Sequence, residues 1–417
     1  MKNNDIEKAI TRIRSGAARY AKAERYYEGR HDLAFATEKF QNTFGSLFRE
    51  FALNLCPIVC DALRDKLRIT GFSSEIENTA TAMRAVNAIW RRNRMETRAG
   101  EAHKEALRCG DAYMIVWPNA RGEAVIHPNR AANMAVFYDD ETPGVITFAA
   151  KRWRSATGGE RLNLYYADRI EKYISAEGGG EKFTREAVVK NPYRTVPVFH
   201  LANNADIGSS GRSELEAAIP VQDGLNKSVL DMLVAMEFAA YRQRWAAGIE
   251  LDLDKDGKPV APFRAGVEHL WISENPDARF GDFEAARLDQ FLKVKDSFRV
   301  DMATVTGTPL HYFVQNSSGF PSGESLRRAE SRFLAKVRDR QAAFGEVWAD
   351  VMAFAVRIET RRRVELRTVW EDAAPLTEKE KLANLLMKRQ LGIPNERLLT
   401  EAGYGAAEAE NMNEEKK

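Results

Sequence analysis

The sequence is poor in the residues that mark several common classes of protein. It has only three cysteines and six histidines in 417 residues, and its charges nearly cancel to a net charge of +2. A small, odd number of cysteines gives no disulfide framework and fits a reducing compartment. No apolar run approaches the roughly 18 residues needed to cross a bilayer, and the polar start "MKNNDIEKAI" carries no secretory signal. The composition predicts a soluble protein made in a cytoplasm, with no global field to hold nucleic acid.

What the sequence has is length and a clear order of patterns. At 417 residues it exceeds the size of a single core, so two or three domains or one elongated subunit are expected. The first third is helical by period, and Pro57 and Gly110 mark one helix start and one helix end. From Asp111 the period changes to six short strands, down to "RIEKYIS", separated by turn-forming residues. These strands predict a meander lying against the helices.

Helical sequence returns in "GRSELEAAIPVQDGLNKSVLDMLVAMEFAAYRQRW". Ser213 and Glu216 predict a capping box, and Pro220 should kink or restart the helix. A small β-containing insertion from about 249 to 283 follows, and then a second helix, roughly 285 to 304. The order is helix, insertion, helix.

A loop, "TVTGTPLHYFVQNSSGFPSGESL", stands before the longest helical pattern of the chain. Apolar residues recur at helical spacing from Leu326 to about Arg363, which predicts a helix on the order of 50 Å long. A last helix opens with a predicted capping box at Thr377 and Glu380 and stops near Gly392. The whole pattern predicts an α+β fold that is mainly helical.

The glycine-rich loop is not a phosphate cradle. Such a loop ends in Lys followed by Ser or Thr, whereas here Gly323 is followed by Glu324, which would repel phosphate at a helix N-terminus.

The "DLDKDG" motif resembles the opening of a calcium loop. The twelfth position holds Phe263 instead of the bidentate Glu, and Pro259 lies within the loop. A strand, turn and strand with Asp-Gly at the bend is the favoured interpretation, and no metal site is predicted.

No catalytic or cofactor motif emerges elsewhere. Cys56 and Cys60 share a helical face but lack two further ligands, so they are predicted to be buried apolar side chains. The histidines are scattered singly, without a nucleophile motif, which disfavours an enzyme without excluding one. The basic clusters at Arg91–Arg94 and Arg361–Arg363 are interpreted as solvated helix ends, with phosphate contact as the alternative.

Four separated stretches carry a family resemblance, in order along nearly the whole chain. They are "YYEGRHDLAF", "NLCPIVCDALRDKLRITGF", the long stretch around Pro220, and "SSGFPSGESLRRAESRFLAKVRDRQAAFGEVW". Together with the order of elements, they resemble the portal proteins of tailed bacteriophages of the siphophage type.

The resemblance implies an elongated subunit that assembles into a ring, usually a dodecamer, at one capsid vertex. On that template residues 1–207 form the wing, 208–248 and 285–306 the two stem helices, 249–284 the clip, 307–322 the tunnel loop, 323–370 a long wing helix and strand, and 371–417 a reduced crown. The ring would pass double-stranded DNA during packaging and ejection, and a separate terminase would hydrolyse ATP. The implied partners are the major capsid protein, the scaffold, the terminase large subunit and the head-tail adaptor.

The resemblance also implies residues near DNA and at the docking end. The predicted DNA-facing residues of the tunnel loop are Tyr312, Gln315, Asn316, Ser317, Ser318 and Phe320; those lining the bore from the second stem helix are Lys293, Lys295 and Arg299; those at the clip are Asp252, Asp254, Asp256 and Lys258. Because cations retain phosphate, the bore is expected to be mostly acidic or neutral.

Two alternatives stay open from the sequence. One is another ring-forming head-tail connector, although those chains are usually shorter. The other is a nucleic-acid enzyme with Asp252, Asp254 and Asp256 as hidden metal ligands.

Overall fold

The computed structural model describes residues 2–32, 34–35, 38, 42, 53–74, 80–142, 144–156, 158–175, 182–207, 210–240, 244–249, 255–256, 275–282, 288–314, 323–374, 378–395, 398–399 and 402. Over these ranges we find no helix with the length and apolar character needed to span a membrane.

The helices follow the predicted periods closely. Within the described ranges they are α1 Lys2–Tyr27, α2 Cys56–Asp65, α3 Ala80–Arg92, α4 Met95–Cys109, α5 Ala218–Ala240, α6 Leu288–Thr306, α7 Gly323–Thr360 and α8 Glu378–Gln390. The predicted long helix is confirmed: α7 has 38 residues, or about 57 Å at 1.5 Å per residue.

The predicted strands are also present. The strands are β1 Ile69–Ser73, β2 Asp111–Pro118, β3 Ala124–Arg130, β4 Met134–Tyr138, β5 Ile146–Arg154, β6 Glu160–Tyr166, β7 Arg169–Ser175, β8 Phe183–Lys190, β9 Val198–Ala202, β10 Arg244–Ala247, β11 Arg279–Asp282 and β12 Arg367–Trp370. Strands β4 to β8 form an antiparallel sheet in chain order, so the predicted meander is confirmed there. Strands β2 and β3 belong instead to a separate three-stranded sheet of order β3-β2-β9.

The two larger sheets, with α1 to α4 and α7, form a layered unit that we call the body. The sequence of β2 shows how the layers form. Successive side chains of a strand point to opposite faces. Tyr113 and Ile115 enter the cluster between the two sheets, whereas Met114 and Val116 face the helices on the other side. On the far face of the meander, Ile13 of α1 packs against its strands. The order of layers is therefore α1, five-stranded sheet, three-stranded sheet and helices.

The main core lies between the three-stranded sheet and the helices. Helix α7 contributes Phe333, Phe344 and Trp348, all almost fully buried. Trp348 Nε1 donates a hydrogen bond to His103 Nε2 of α4 at 2.8 Å, and its ring packs edge-on against Trp90 of α3. Helix α7 is thus the central strut on which the helical part of the body is assembled.

The predicted capping box at Ser213 is wrong. Helix α5 begins at Ala218, with Pro220 in its first turn, where a missing N–H is tolerated. The Ser213 hydroxyl donates to the Arg108 carbonyl and accepts from the backbone N–H of Leu215. Ser213 is therefore tied to the end of α4, and the segment before α5 is a turn.

A close backbone approach fixes that turn on the body. Gly110 has φ of +96°, and a Cβ on Gly211 would lie 1.9 Å from the Gly110 carbonyl oxygen. Only glycine fits at these two positions, so the entry to α5 lies directly against the end of α4.

Candidate functional site

Helices α5 and α6 form an antiparallel pair joined by a β-ribbon. Strand β10 pairs with β11, with Trp245 opposite Gly281. At the crossing of the helices, a Cβ on Gly224 would lie 2.7 Å from the ring of Phe298. Glycine therefore permits α6 to approach α5 closely at this point.

Polar side chains anchor the first turns of α5 to the N-terminal region. Gln222 accepts a hydrogen bond from the backbone N–H of Leu55 at 2.8 Å and donates to Asn226 at 3.0 Å. The Tyr26 hydroxyl donates to Asp223 at 2.6 Å. Because these buried groups are paired, they fix α5 to the body at one end.

The insertion is described only at its two ends and at residues 255–256. The predicted docking residues Asp252, Asp254 and Lys258 lie outside the described residues, and Asp256 lies in an exposed turn. Strand β11 lies within the predicted β-containing insertion, whereas β10 lies just before it, where the sequence predicted helix. The docking role stays a prediction.

The structure describes residues 307–314 of the loop before α7, and we call this segment the loop root. Helix α6 ends at Thr306, Gly307 has φ of +67°, and a 3₁₀ turn follows at Leu310–Tyr312. The His311 Nε2 atom lies 3.1 Å from Glu330 Oε1 on α7. Phe313 is buried in the main core. The chain is therefore held against α7 up to Val314.

Tyr312 is half-buried at this root. Its ring centroid lies 5.9 Å from that of Phe333 on α7, and burial raises the pKa of its hydroxyl. The other predicted tunnel-loop residues lie outside the described residues: Gln315, Asn316, Ser317, Ser318 and Phe320. The contact gives Tyr312 an anchoring role, and its proximity to DNA stays a prediction.

A cluster of three charged side chains, with Glu214 and Arg340 buried and Lys336 half-buried, lies behind the root. Lys336 Nζ and Arg340 of α7 lie 2.5 and 3.2 Å from the two carboxylate oxygens of Glu214. Lys336 Nζ also donates to the Thr306 carbonyl at 2.9 Å. Burial alone would raise the pKa of Glu214, but Lys336 and Arg340 outweigh it and lower this pKa below its ordinary value. We call Glu214, Lys336 and Arg340 the charge junction.

The three predicted bore cations do not share one side of α6. Lys293 is exposed, whereas Lys295 and Arg299 are half-buried. Residues two apart face different sides of a helix, and residues four apart share one. Lys295 and Arg299 are therefore brought together, with Arg299 paired to Asp296 at 3.1 Å, and Lys293 is separated from them.

Among the exposed charged residues of α6, which do not all lie on one side of the helix, acids outnumber bases. Asp289, Asp296 and Asp301 are exposed, against the single exposed cation Lys293. Exposed apolar residues also lie along α6, with Leu292, Val294, Val300 and Val305 all more than two-fifths exposed. The surface of α6 therefore includes exposed acidic residues and uncovered apolar side chains.

No metal-binding cluster is present in the described part of the chain: no three of its His, Cys, Asp or Glu residues come together in a suitable group. Cys56 and Cys60 are buried as predicted, and burial raises the pKa of Cys56 to about 12, so its thiol stays protonated. His200 Nε2 lies 2.8 Å from Asp111, but Tyr20 and Arg19 also donate to that carboxylate. This arrangement ties α1 to the sheet.

Sequence reasoning missed the charge junction. Glu214 adjoins the residue taken for a helix cap, and its cationic partners lie more than 120 positions away. The i, i+4 spacing of Lys336 and Arg340 on a helix was the available signal.

Proteins similar to this chain are found both by sequence and by fold. The chain is similar to portal proteins of two mycobacteriophages, D29 at 29% and L5 at 28% identity, each over 52% of this chain and 47% of the relative. The match thus spans about half the length of these relatives. A chain from the neck of an empty GTA particle, computed with C6 symmetry, has a TM-score of 0.50 at 14% identity, covering 83% of this chain and 88% of that chain.

The chain shares its α+β fold with this neck chain. The chain belongs to the family described as phage portal protein, SPP1 Gp6-like, which it matches over residues 7–417.

Proposed function

We propose that the protein is a portal subunit whose ring passes double-stranded DNA into and out of a phage capsid. The observation that carries the proposal is the family match over residues 7–417, which spans the body, the α5–α6 pair and the α7 strut. The chain itself performs no catalysis in this proposal, and a separate terminase supplies ATP hydrolysis.

The division into parts follows from the same proposal. The layered body with α7 serves as the wing, the α5–α6 pair as the stem, and the β10–β11 ribbon with the residues between its strands as the clip. Residues 307–322 form the tunnel loop and the region from 371 a reduced crown. The firm attachment of the loop root to α7 supports the first of these assignments, because a loop near moving DNA needs a fixed base.

The ring is a homo-oligomer, proposed to be a dodecamer, at one capsid vertex of the virion. Exposed Leu292 and Val300, eight residues apart on one face of α6, support self-association, since a neighbouring copy would remove this apolar surface from water. The clip, with Asp252, Asp254, Asp256 and Lys258, is proposed to dock terminase and later the head-tail adaptor. Scaffold and major capsid protein contact the ring from the capsid side.

The bore is proposed to be neutral to acidic, with few cations. Duplex DNA carries about one charge per 1.7 Å, and each Lys or Arg that neutralises a phosphate adds affinity that slows passage. Exposed Asp289, Asp296 and Asp301 on α6 support this proposal. Replacing the three aspartates by lysine should slow DNA packaging severalfold at low salt, whereas replacement by asparagine should have a small effect. Equal rates in both variants would contradict an electrostatic requirement.

Electron microscopy of the purified full chain tests the ring directly. We expect closed rings with a central hole wide enough for duplex DNA, and no hydrolysis of DNA in the presence of Mg²⁺. A compact monomer under all conditions would overturn the proposal. Metal-dependent nuclease activity lost in Asp254→Ala would favour an enzyme instead.

A further inference from the structure

The C-terminal end of α6 depends on a cation from another helix. The last carbonyls of a helix have no partner within it, and a positive charge near them is favoured by the helix dipole. The last turn of α6 has no basic residue of its own. Lys336 of α7 supplies that charge, because its ammonium group donates to the Thr306 carbonyl at 2.9 Å.

The same ammonium group is held by a buried carboxylate. Lys336 Nζ lies 2.5 Å from Glu214 Oε2, and only 7% of the Glu214 side chain is exposed. Arg340, equally buried, pairs with the other oxygen of Glu214, which also accepts a hydrogen bond from Asn203. Charges buried in this way are stable only as a set, because removal of one leaves the others uncompensated.

Three elements meet at this point. Glu214 lies on the turn that enters α5, Thr306 closes α6, and Lys336 lies on α7 one turn beyond Phe333, which packs against Tyr312 of the loop root. Lys336 therefore contacts both ends of the α5–α6 pair where it joins the body. Arg340 reaches only the α5 entry, so Lys336 is the member that connects the two.

We propose that Lys336 is a positioning residue for DNA passage: it fixes the end of α6, and with it the root of the tunnel loop, in register with α7. This inference rests on the proposed function. The bond between Lys336 and Thr306 sets where residues 307–314 leave α6. Without it the loop root shifts in each subunit, and the loops no longer surround DNA evenly.

Lys336→Met tests the contact, because it preserves the length of the side chain and removes its charge and hydrogen bonds. Arg338→Met is the matched control, since Arg338 is an exposed cation on the same helix. Lys336→Arg is the conservative variant, because it restores a cation able to pair with Glu214 and to donate to the Thr306 carbonyl. Lys336→Gln, which retains an N–H donor without the charge, serves if the Met variant does not assemble.

The first readout is amide hydrogen exchange of residues 303–314 in assembled rings. We expect exchange about tenfold faster in Lys336→Met, about threefold faster in Lys336→Gln, and unchanged in Arg338→Met and Lys336→Arg. Exchange in Lys336→Met equal to that of the Arg338→Met control overturns the proposal.

The second readout is DNA packaged per assembled ring in an in vitro packaging reaction. We expect a tenfold loss in Lys336→Met, with rescue in Lys336→Arg. Faster exchange with unchanged packaging per ring overturns the positioning role and leaves Lys336 with a structural one. If wild-type rings do not support packaging, the proposed function fails, and the exchange comparison still decides whether Lys336 fixes the loop root.

Discussion

The body and the α5–α6 pair bury their apolar side chains to different extents. In the body, Phe333, Phe344 and Trp348 of α7 are at most 1% exposed. On α6, Leu292 and Val305 are about half exposed, although both lie within regular helix. The apolar side of α7 is thus covered by its own chain, whereas α6 presents apolar surface that another copy could cover. The same fold therefore contains a core that is covered within the chain and a helix whose apolar residues remain exposed.

The strongest destabilisation is expected from a substitution in the buried core around α7. Trp348→Ala removes a buried indole and leaves a cavity, so we expect the free energy of unfolding to fall by about 4 kcal/mol. Trp245→Ala in the β10–β11 ribbon is the matched variant, because that indole is 40% exposed, and we expect a loss below about 1 kcal/mol. Urea unfolding of the unassembled chain measures both. Similar losses in the two variants would contradict the comparison.

The next effect concerns a buried base in the same core. Burial lowers the pKa of His103 to about 4, whereas an unfolded histidine titrates near its ordinary value of 6.5. Between these values the unfolded state binds a proton that the folded state does not bind, so stability falls as the pH falls. This group alone should lower the free energy of unfolding by roughly 3 kcal/mol as the pH falls from 7 to 4.

His103→Gln isolates this effect, since an amide oxygen can still accept the hydrogen bond from Trp348. Carboxylates that titrate in the same range contribute equally to both proteins and cancel in the difference. We expect the stability curve of His103→Gln against pH to be flatter between pH 6.5 and 4 than that of the wild type. Parallel curves would mean that His103 does not titrate with folding.

A smaller effect tests the crossing of α5 and α6. Gly→Ala within a helix normally stabilises by about 1 kcal/mol, and we expect this at Gly100 of α4, where the added Cβ has no neighbour within 4 Å beyond the adjoining backbone of its own helix. At Gly224 the Cβ meets the Phe298 ring, and overpacking of about 1–3 kcal/mol should outweigh that gain. Thermal unfolding should show a higher Tm for Gly100→Ala and a lower one for Gly224→Ala. Adding Phe298→Leu should restore part of the loss, and its failure to do so would point away from the ring.

Local pattern predicted much of this fold, because period and turn residues act over a few positions. For that reason the sequence predicted the end of α4 at Gly110 and the length of α7. The pairing of Glu214 with Lys336 could not, because it joins residues 122 positions apart and follows from how α5 and α7 pack. The same limit applies to β2, whose partner β9 follows the whole meander. The candidate site was predicted as a loop, and its supporting contacts required the tertiary structure.

Substitutions of exposed apolar residues on α6 should change the free energy of unfolding least and the yield of rings most. Leu292→Ser and Val300→Ser replace half-exposed side chains of α6, so we expect the free energy of unfolding of the separate chain to change by less than about 0.5 kcal/mol. If a neighbouring copy covers this surface, each substitution removes burial in every interface of the ring, and ring yield at fixed protein concentration should fall severalfold. Val188→Ser, half-exposed on the edge strand β8 of the body, is the control and should leave ring yield unchanged. Normal ring yield from the two α6 variants would place the subunit interface elsewhere, and the contrast between body and helix pair would then reflect exposure to solvent instead of an interface between copies.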